Sequence, residues 1–323
     1  MSAGNEAAVS RTARASASEP DDRSRPAQRA AGERSRSWTV LGLLRWTTEH
    51  FVAKGIESAR LDAELLLAFA LGVDRLRLYL AFEKPVLDEE RARFRALVRR
   101  RGEERVPVAY LTGVREFWSL PLAVTPGVLI PRPDTETLVD AVLARVPRRD
   151  APLAVLDVGT GSGAIALALA KEWPLAQVTA TDVSDAALAV ARKNAEALGL
   201  AARLCFASGD LFAAVAGERF DVIVSNPPYL AEAEAKGLAP ELRHEPALAL
   251  FAPGDGTALL RRIAAEAPAR LLPGGLLALE LAPAQAGDVT QCLREAGFER
   301  LAEHRDLAGR VRAVSALRGP GGE

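Results

Sequence analysis

The sequence predicts an α/β fold, a largely parallel sheet with helices on both faces, preceded by a small all-helical domain. Three observations carry that expectation. After Pro152, short apolar strand-like runs alternate with helical segments, the pattern of strand–helix–strand units in one sheet. The first of those strands, "AVLDV", runs into the glycine-rich turn "GTGSG" that opens a helix. Residues 38–105, in contrast, show a helical period.

Residues 1–36 are rich in Ala, Ser and Arg, carry Pro20 and Pro26 and show no apolar periodicity. Such a segment buries too little surface to offset its ordering entropy, so a disordered tail is expected. Glu6, Glu19, Asp21, Asp22 and Glu33 spoil the acid-poor pattern of an organelle-targeting peptide. The helical domain is expected over 37–107, with helices around Leu44–Phe51, over "LDAELLLAFAL" and from Asp88 to Arg101. Asp88 is expected to cap the last, with Glu89 and Glu90 in its first turn.

A linker is expected over 108–136. Phe117–Val124 and Val128–Ile130 flank Pro126 and Gly127, as in a hairpin. The prolines of "PRPDTE" rigidify the approach to the helix Leu138–Val146, and Asp134 stands where that helix needs a cap. From 137 to 318 the strands are "AVLDV", "QVTATD", "ARLCFAS", "FDVIVS" and "LLALEL", with final strands near Glu299–His304 and Val311–Ala316. A short tail is expected at 319–323.

The glycines Gly159, Gly161 and Gly163, with Thr160 and Ser162 between them, read G-x-G-x-G. That is neither the G-x-G-x-x-G dinucleotide fingerprint nor a G-x-x-x-x-G-K-[ST] phosphate loop, so a ligand without phosphates is favoured. Asp182 ends the second strand, where a carboxylate can accept from both ribose hydroxyls. Asp210 ends the third, within reach of an adenine amine. A nucleoside without phosphate on this topology suggests S-adenosyl-L-methionine. Alone, a glycine turn is usually structural and a strand-end Asp usually a cap. Their order along one sheet is what makes the set specific.

The fourth strand ends in Asn226-Pro227-Pro228-Tyr229. Two prolines neither donate to a ladder nor start a helix comfortably, so the run is a rigid loop projecting Asn226 and Tyr229. A strand-terminating turn is the plain reading. The preceding glycines and Asp182 argue instead for one cleft at the strand ends.

Residues 38–318 resemble the bacterial peptide chain release factor glutamine methyltransferases. The likeness rests on "PVAYLTGVREFWSLPLAVTPGVLIPRPDTE", "LDVGTGSGAIALALA", "FDVIVSNPPYL", "HEPALALFAPGDG" and "DLAGRVRAV". It implies a Rossmann-like S-adenosylmethionine-dependent methyltransferase sheet behind the helical domain, and methylation of the glutamine in the Gly-Gly-Gln motif of release factors. It places the substrate amide on the Asn226 side-chain oxygen and the Pro227 carbonyl, with Pro228 beside them and Tyr229 stacked on the amide. It sets Gly159, Gly161 and Gly163 by the methionine end of the cofactor, Asp182 on the ribose, and Leu211 or Phe212 on the adenine. Arg132 and Glu136 match the loop as support. Ala282 departs from the Glu-x-Gly of relatives, although Glu280 and Gln285 match.

Two alternatives stay open on the residues: glutamine methylation of a ribosomal protein, and methylation of the adenine amine in nucleic acid. The adenine amine is also planar and conjugated, so the same loop serves it. A net charge of −1 and a pI near 6.4 weigh against a surface built to grip nucleic acid. Cys205 and Cys292 lie in apolar patterns, and His50, His244 and His304 are scattered, so no disulfide framework and no metal are expected. The longest apolar run, Leu65–Val73, is far short of a bilayer span. A cytoplasmic monomer is the resulting expectation.

Overall fold

The computed structural model describes residues 38–319. The tail expected at 1–36 and the end of that at 319–323 lie outside the described residues.

The first five helices are α1 (Val40–Ala53), α2 (Ala59–Leu71), α3 (Arg75–Leu80), α4 (Asp88–Gly102) and α5 (Val108–Thr112). Thr39 caps α1 by accepting from the Gly42 amide, Asp74 caps α3 by accepting from Arg77, and Gly72 ends α2 with φ 65°. Asp88 is not a cap. It is the first residue of α4, and Glu90 reaches back to accept from the Leu87 amide at 2.9 Å. The reciprocal side-chain bond cannot form because Leu87 has no acceptor. Leu44, Phe51, Leu66, Leu67 and Leu78 are buried together with Phe94 and Val98. Truncating Leu66 or Leu67 to Ala in that core would cost about 2–5 kcal/mol.

The hairpin lies earlier than the proline-glycine pair suggests. Strands β1 (Val114–Phe117) and β2 (Leu120–Ala123) pair antiparallel, with Phe117 opposite Leu120. The two-residue turn is Trp118-Ser119, with φ 53° and 54°, the left-handed pair that suits a hairpin's twist. Neither residue is Gly or Asn, so the turn carries no sequence signature. It is pinned by side chains instead: the Trp118 amide donates to Glu136 and its indole to Glu172, both at 2.9 Å. After a single 3-10 turn at Pro133–Thr135 comes α6 (Glu136–Arg145). Asp134 does not cap it, because its carboxylate pairs with Arg312 at 2.8 Å.

The remaining elements are β3 (Ala154–Val158), α7 (Ala164–Glu172), β4 (Gln177–Asp182), α8 (Asp185–Ala197), β5 (Leu204–Ser208), β6 (Phe220–Ser225), β7 (Leu230–Ala231), α9 (Ala247–Leu250), β8 (Phe251–Ala252), α10 (Ala258–Glu266), β9 (Leu271–Glu280), α11 (Ala286–Glu295), β10 (Phe298–Arg305) and β11 (Val311–Arg318). Seven strands form one sheet in the order β10-β11-β9-β6-β3-β4-β5. β3, β4, β5, β6 and β9 run parallel, and β11 is antiparallel to both its neighbours. Strand residues alternate between two cores: Val222 and Val224 join α6 and α7 on one face, and Ile223 joins α10 and α11 on the other. The chain leaves β3 toward β4 on one side and returns to β6 on the other. That reversal opens a crevice at the carboxyl ends of β3 and β6.

Candidate active site

A cleft of about 290 Å³ occupies that crevice. Its floor is the turn after β3. Gly159 and Gly161 have φ 74° and 56°, and a Cβ on either would project into open space rather than into the protein. Both positions thus present bare backbone to the cleft. Gly163 serves differently. A Cβ there would sit 3.1 Å from Leu167 and 3.2 Å from Ala191, so this glycine lets α7 pack closely on α8, and it does not line the cleft.

The turn is braced from behind. Asp157 is fully buried, and its Oδ2 accepts from the Thr160 hydroxyl at 2.7 Å and the Ala166 amide at 3.1 Å. Burial pushes its carboxyl up to about 7; those two hydrogen bonds oppose the rise and the nearby Asp182 charge adds to it. Sequence reasoning gave Asp157 no role, although it opens the glycine run. Asn194 of α8 donates to the Ser162 carbonyl at 2.9 Å and exchanges bonds of 2.8 and 3.0 Å with the Ala123 backbone, which ties β2 to the turn.

Asp182 accepts from the Gly161 amide through one oxygen and from the Ser184 amide through the other, each at 2.9 Å. A carboxylate has about four lone-pair sites, so acceptors are left for a ligand. Asp210 lies on the rim, where its carboxylate pairs with Arg262 at 2.9 Å. Leu211, with φ 49°, lines the cleft, whereas Phe212 is buried in the core under the sheet.

Asn226, Pro227 and Pro228 line the cleft from the end of β6. The Ser225 hydroxyl donates to the Val158 carbonyl at 2.7 Å, locking the ends of β6 and β3 together. The Asn226 side-chain nitrogen donates to the Thr135 hydroxyl at 3.2 Å. Tyr229 is turned away from the cleft: its ring packs on the core beneath, and its hydroxyl donates to Glu280 at 3.2 Å. Burial and the Glu280 charge raise the phenol's pKa. The Tyr229 carbonyl accepts from Gln285 at 2.8 Å, and Gly256 fits beneath it, where a Cβ would come within 2.3 Å of that oxygen. Ala282 has φ −73°, open to any residue, so the turn there does not need a glycine.

The outer wall is the loop 127–132. Tyr110 donates to the Val128 carbonyl at 2.6 Å. Glu245, its side chain only 1% exposed, accepts from the Ile130 amide at 3.0 Å and from Arg132 at 2.6 Å. Sequence reasoning missed Glu245 as a residue of interest, although "HEPALAL" contains it. The segment around it also docks on the helical domain, where buried Arg101 pairs with Asp62 and Glu241, each at 2.7 Å. Pro246, Leu248 and Ala249 face the cleft from this side. Among the described residues no group of three or more His, Cys, Asp or Glu side chains could hold a metal ion, and no helix is long and apolar enough to cross a membrane.

A relative named release factor glutamine methyltransferase from Rhodopirellula baltica is 47% identical over 286 residues, 86% of this chain and 96% of the relative. The chain belongs to the release factor glutamine methyltransferase family. A second member, from Cereibacter sphaeroides, is 48% identical over 84% of this chain and 96% of its own. The family models agree in placement: a PrmC N-terminal domain matches residues 42–113 and a methyltransferase small domain matches 134–255. The sheet of this methyltransferase is also similar to a solved structure of the hMettl16 catalytic domain in complex with MAT2A 3′UTR hairpin 6, at 19% identity and a TM-score of 0.53, covering 67% of this chain and 81% of that one. That likeness is one of fold.

Proposed function

We propose that this methyltransferase transfers the methyl group of S-adenosylmethionine to the side-chain amide nitrogen of the glutamine in the Gly-Gly-Gln motif of peptide chain release factors. The observation that carries the reading is the placement of Asn226. Its amide nitrogen is engaged by Thr135 beside the glycine-floored cleft, so its oxygen is the end left for a substrate. A carboxamide nitrogen is a poor nucleophile because its lone pair is delocalised into the carbonyl. A residue that accepts its two hydrogens and aims it is what such a reaction needs.

The residues present fit the cofactor. Gly159 and Gly161 leave a cradle that a Cβ would fill, Asp182 has spare acceptors, and Ile165, Val183 and Leu211 supply apolar wall. When bound, S-adenosylmethionine supplies an electrophilic methyl group on a sulfonium centre. In this reading Asp182 holds the ribose, Leu211 packs on the adenine, and the floor of Gly159, Thr160, Gly161 and Ser162 takes the methionine end. Asn226 Oδ1 and the Pro227 carbonyl accept the two hydrogens of the glutamine amide. Prolines at 227 and 228 suit the task because their backbones offer no competing donor. The turned-away Tyr229 supports the loop rather than stacking on the amide. The helical segment 37–107 docks the protein substrate, and residues 137–318 carry the chemistry.

The test is transfer of label from methyl-labelled S-adenosylmethionine. A purified release factor is compared with a version whose Gly-Gly-Gln glutamine is alanine, with a ribosomal protein, and with DNA. Label on the intact release factor only is the expected result. Label on the ribosomal protein or DNA and none on the release factor would overturn the substrate.

A further inference from the structure

Asn226 accepts hydrogens from a substrate amide only if its oxygen, and not its nitrogen, faces the cleft. An amide nitrogen donates and an amide oxygen accepts, and a half-turn about the last side-chain bond exchanges them. Something must fix the orientation. Thr135 is the one side chain hydrogen-bonded to Asn226 among the described residues, at 3.2 Å from Nδ2 to Oγ1.

Thr135 is only 4% exposed, yet it borders the cleft beside Asn226. Its backbone is set by a bond from its amide to the Arg132 carbonyl at 3.1 Å, so the proline-rich turn and α6 together place the hydroxyl. A hydroxyl has one proton and two lone pairs, and either would satisfy some face of an asparagine. The geometry decides between them: the Asn226 nitrogen is the atom that meets the Thr135 hydroxyl oxygen, so a Thr135 lone pair receives it and the Asn226 oxygen turns to the cleft.

We infer that Thr135 is a positioning residue for methyl transfer: set by the turn at the start of α6, it holds the Asn226 amide with its oxygen toward the acceptor nitrogen. This rests on the proposed role of Asn226 and adds a residue to it. Thr135 touches no reacting atom. Its effect passes through Asn226 and belongs to kcat rather than to cofactor affinity.

The experiment is a kinetic comparison of Thr135→Val, Thr135→Ala and Thr135→Ser, with a release factor as acceptor and cofactor affinity measured separately by calorimetry. Val keeps the shape and loses the lone pair; Ala serves where Val disturbs the start of α6; Ser keeps the hydroxyl. The expected result is a fall in kcat of roughly 10- to 100-fold for Val and Ala, with KM and cofactor affinity within about threefold of wild type. Ser is expected to recover most of the loss. Wild-type kcat in Val or Ala, or an equal loss in Ser, overturns the inference. Wild-type protein that labels no release factor overturns the proposed function itself, and does so before any variant is compared.

Discussion

Glu245 grips Arg132 at 2.6 Å across 113 positions of chain, and with its other oxygen it holds the Ile130 amide. The carboxylate is buried, so each of its oxygens depends on these partners. Glu245→Ala removes both and leaves the 127–132 wall held by the Tyr110 and Arg115 bonds to Val128 and Pro131 and by packing. The expected cost is about 2 kcal/mol, less than for a fully buried pair because Arg132 is one-third exposed. Chemical denaturation measures it. A loss below about 0.5 kcal/mol would show that the remaining bonds and packing hold the wall on their own.

On the proposed reading, Asp182 serves cofactor binding and Asn226 serves turnover. Asp182→Ala strips an acceptor from the Gly161 and Ser184 amides and from any ribose, so cofactor affinity is expected to fall at least roughly tenfold. Asn226→Ala leaves the glycine turn intact, and calorimetry is expected to show nearly unchanged cofactor affinity beside a loss of turnover on the order of 100-fold or more. Full activity in Asn226→Ala would end the assignment of roles.

Glu280 makes stability depend on pH. Burial pushes its carboxyl up from 4.5 to about 7, against the pull of the Thr135 and Tyr229 hydroxyls and the Arg312 charge. The folded protein therefore holds this proton more tightly than the unfolded chain. The group's contribution is fully present below pH 4.5 and is lost as pH rises through about 7. Glu280→Gln cannot ionise, so from pH 4.5 to 8 its stability is expected to gain on wild type by on the order of 3 kcal/mol. Parallel denaturation profiles across that window would contradict it.

Gly256 and Gly254 form a matched pair. Both have positive φ, 82° and 68°, but a Cβ on Gly256 would lie 2.3 Å from the Tyr229 carbonyl, whereas one on Gly254 meets nothing within 4 Å. Gly254→Ala is expected to cost only the backbone strain, about 1 kcal/mol. Gly256→Ala must also displace the end of the Asn-Pro-Pro-Tyr loop, and is expected to cost at least about 2 kcal/mol more and to slow turnover. Equal melting temperatures for the two would refute the argument.

The sheet was legible because each strand carries its own signal: an apolar run along "FDVIVS", a glycine turn after "AVLDV", an acid at the end of "QVTATD". Those signals are local, and they also brought ten of the twelve residues expected at the site to one cleft. What could not be read is what distant residues decide. Trp118 and Ser119 adopt a turn conformation that Glu136 and Glu172 enforce. Asp134 forgoes capping for Arg312, and Asp210 takes Arg262 as a partner on the rim. Tyr229 turns inward because Glu280, 51 positions on, offers its hydroxyl an acceptor. Gly163 carries the same motif as its neighbours, yet Ala191 on another helix gives it a packing role.

The two carboxylates on Arg101 lie at very different distances along the chain. Asp62 is 39 positions away, within the same helical bundle. Glu241 is 140 positions away, beyond β6, in the segment that forms one lip of the cleft. The first contact is local, whereas the second closes a loop of about 140 residues, whose closure entropy must be met before the lip can sit on the bundle.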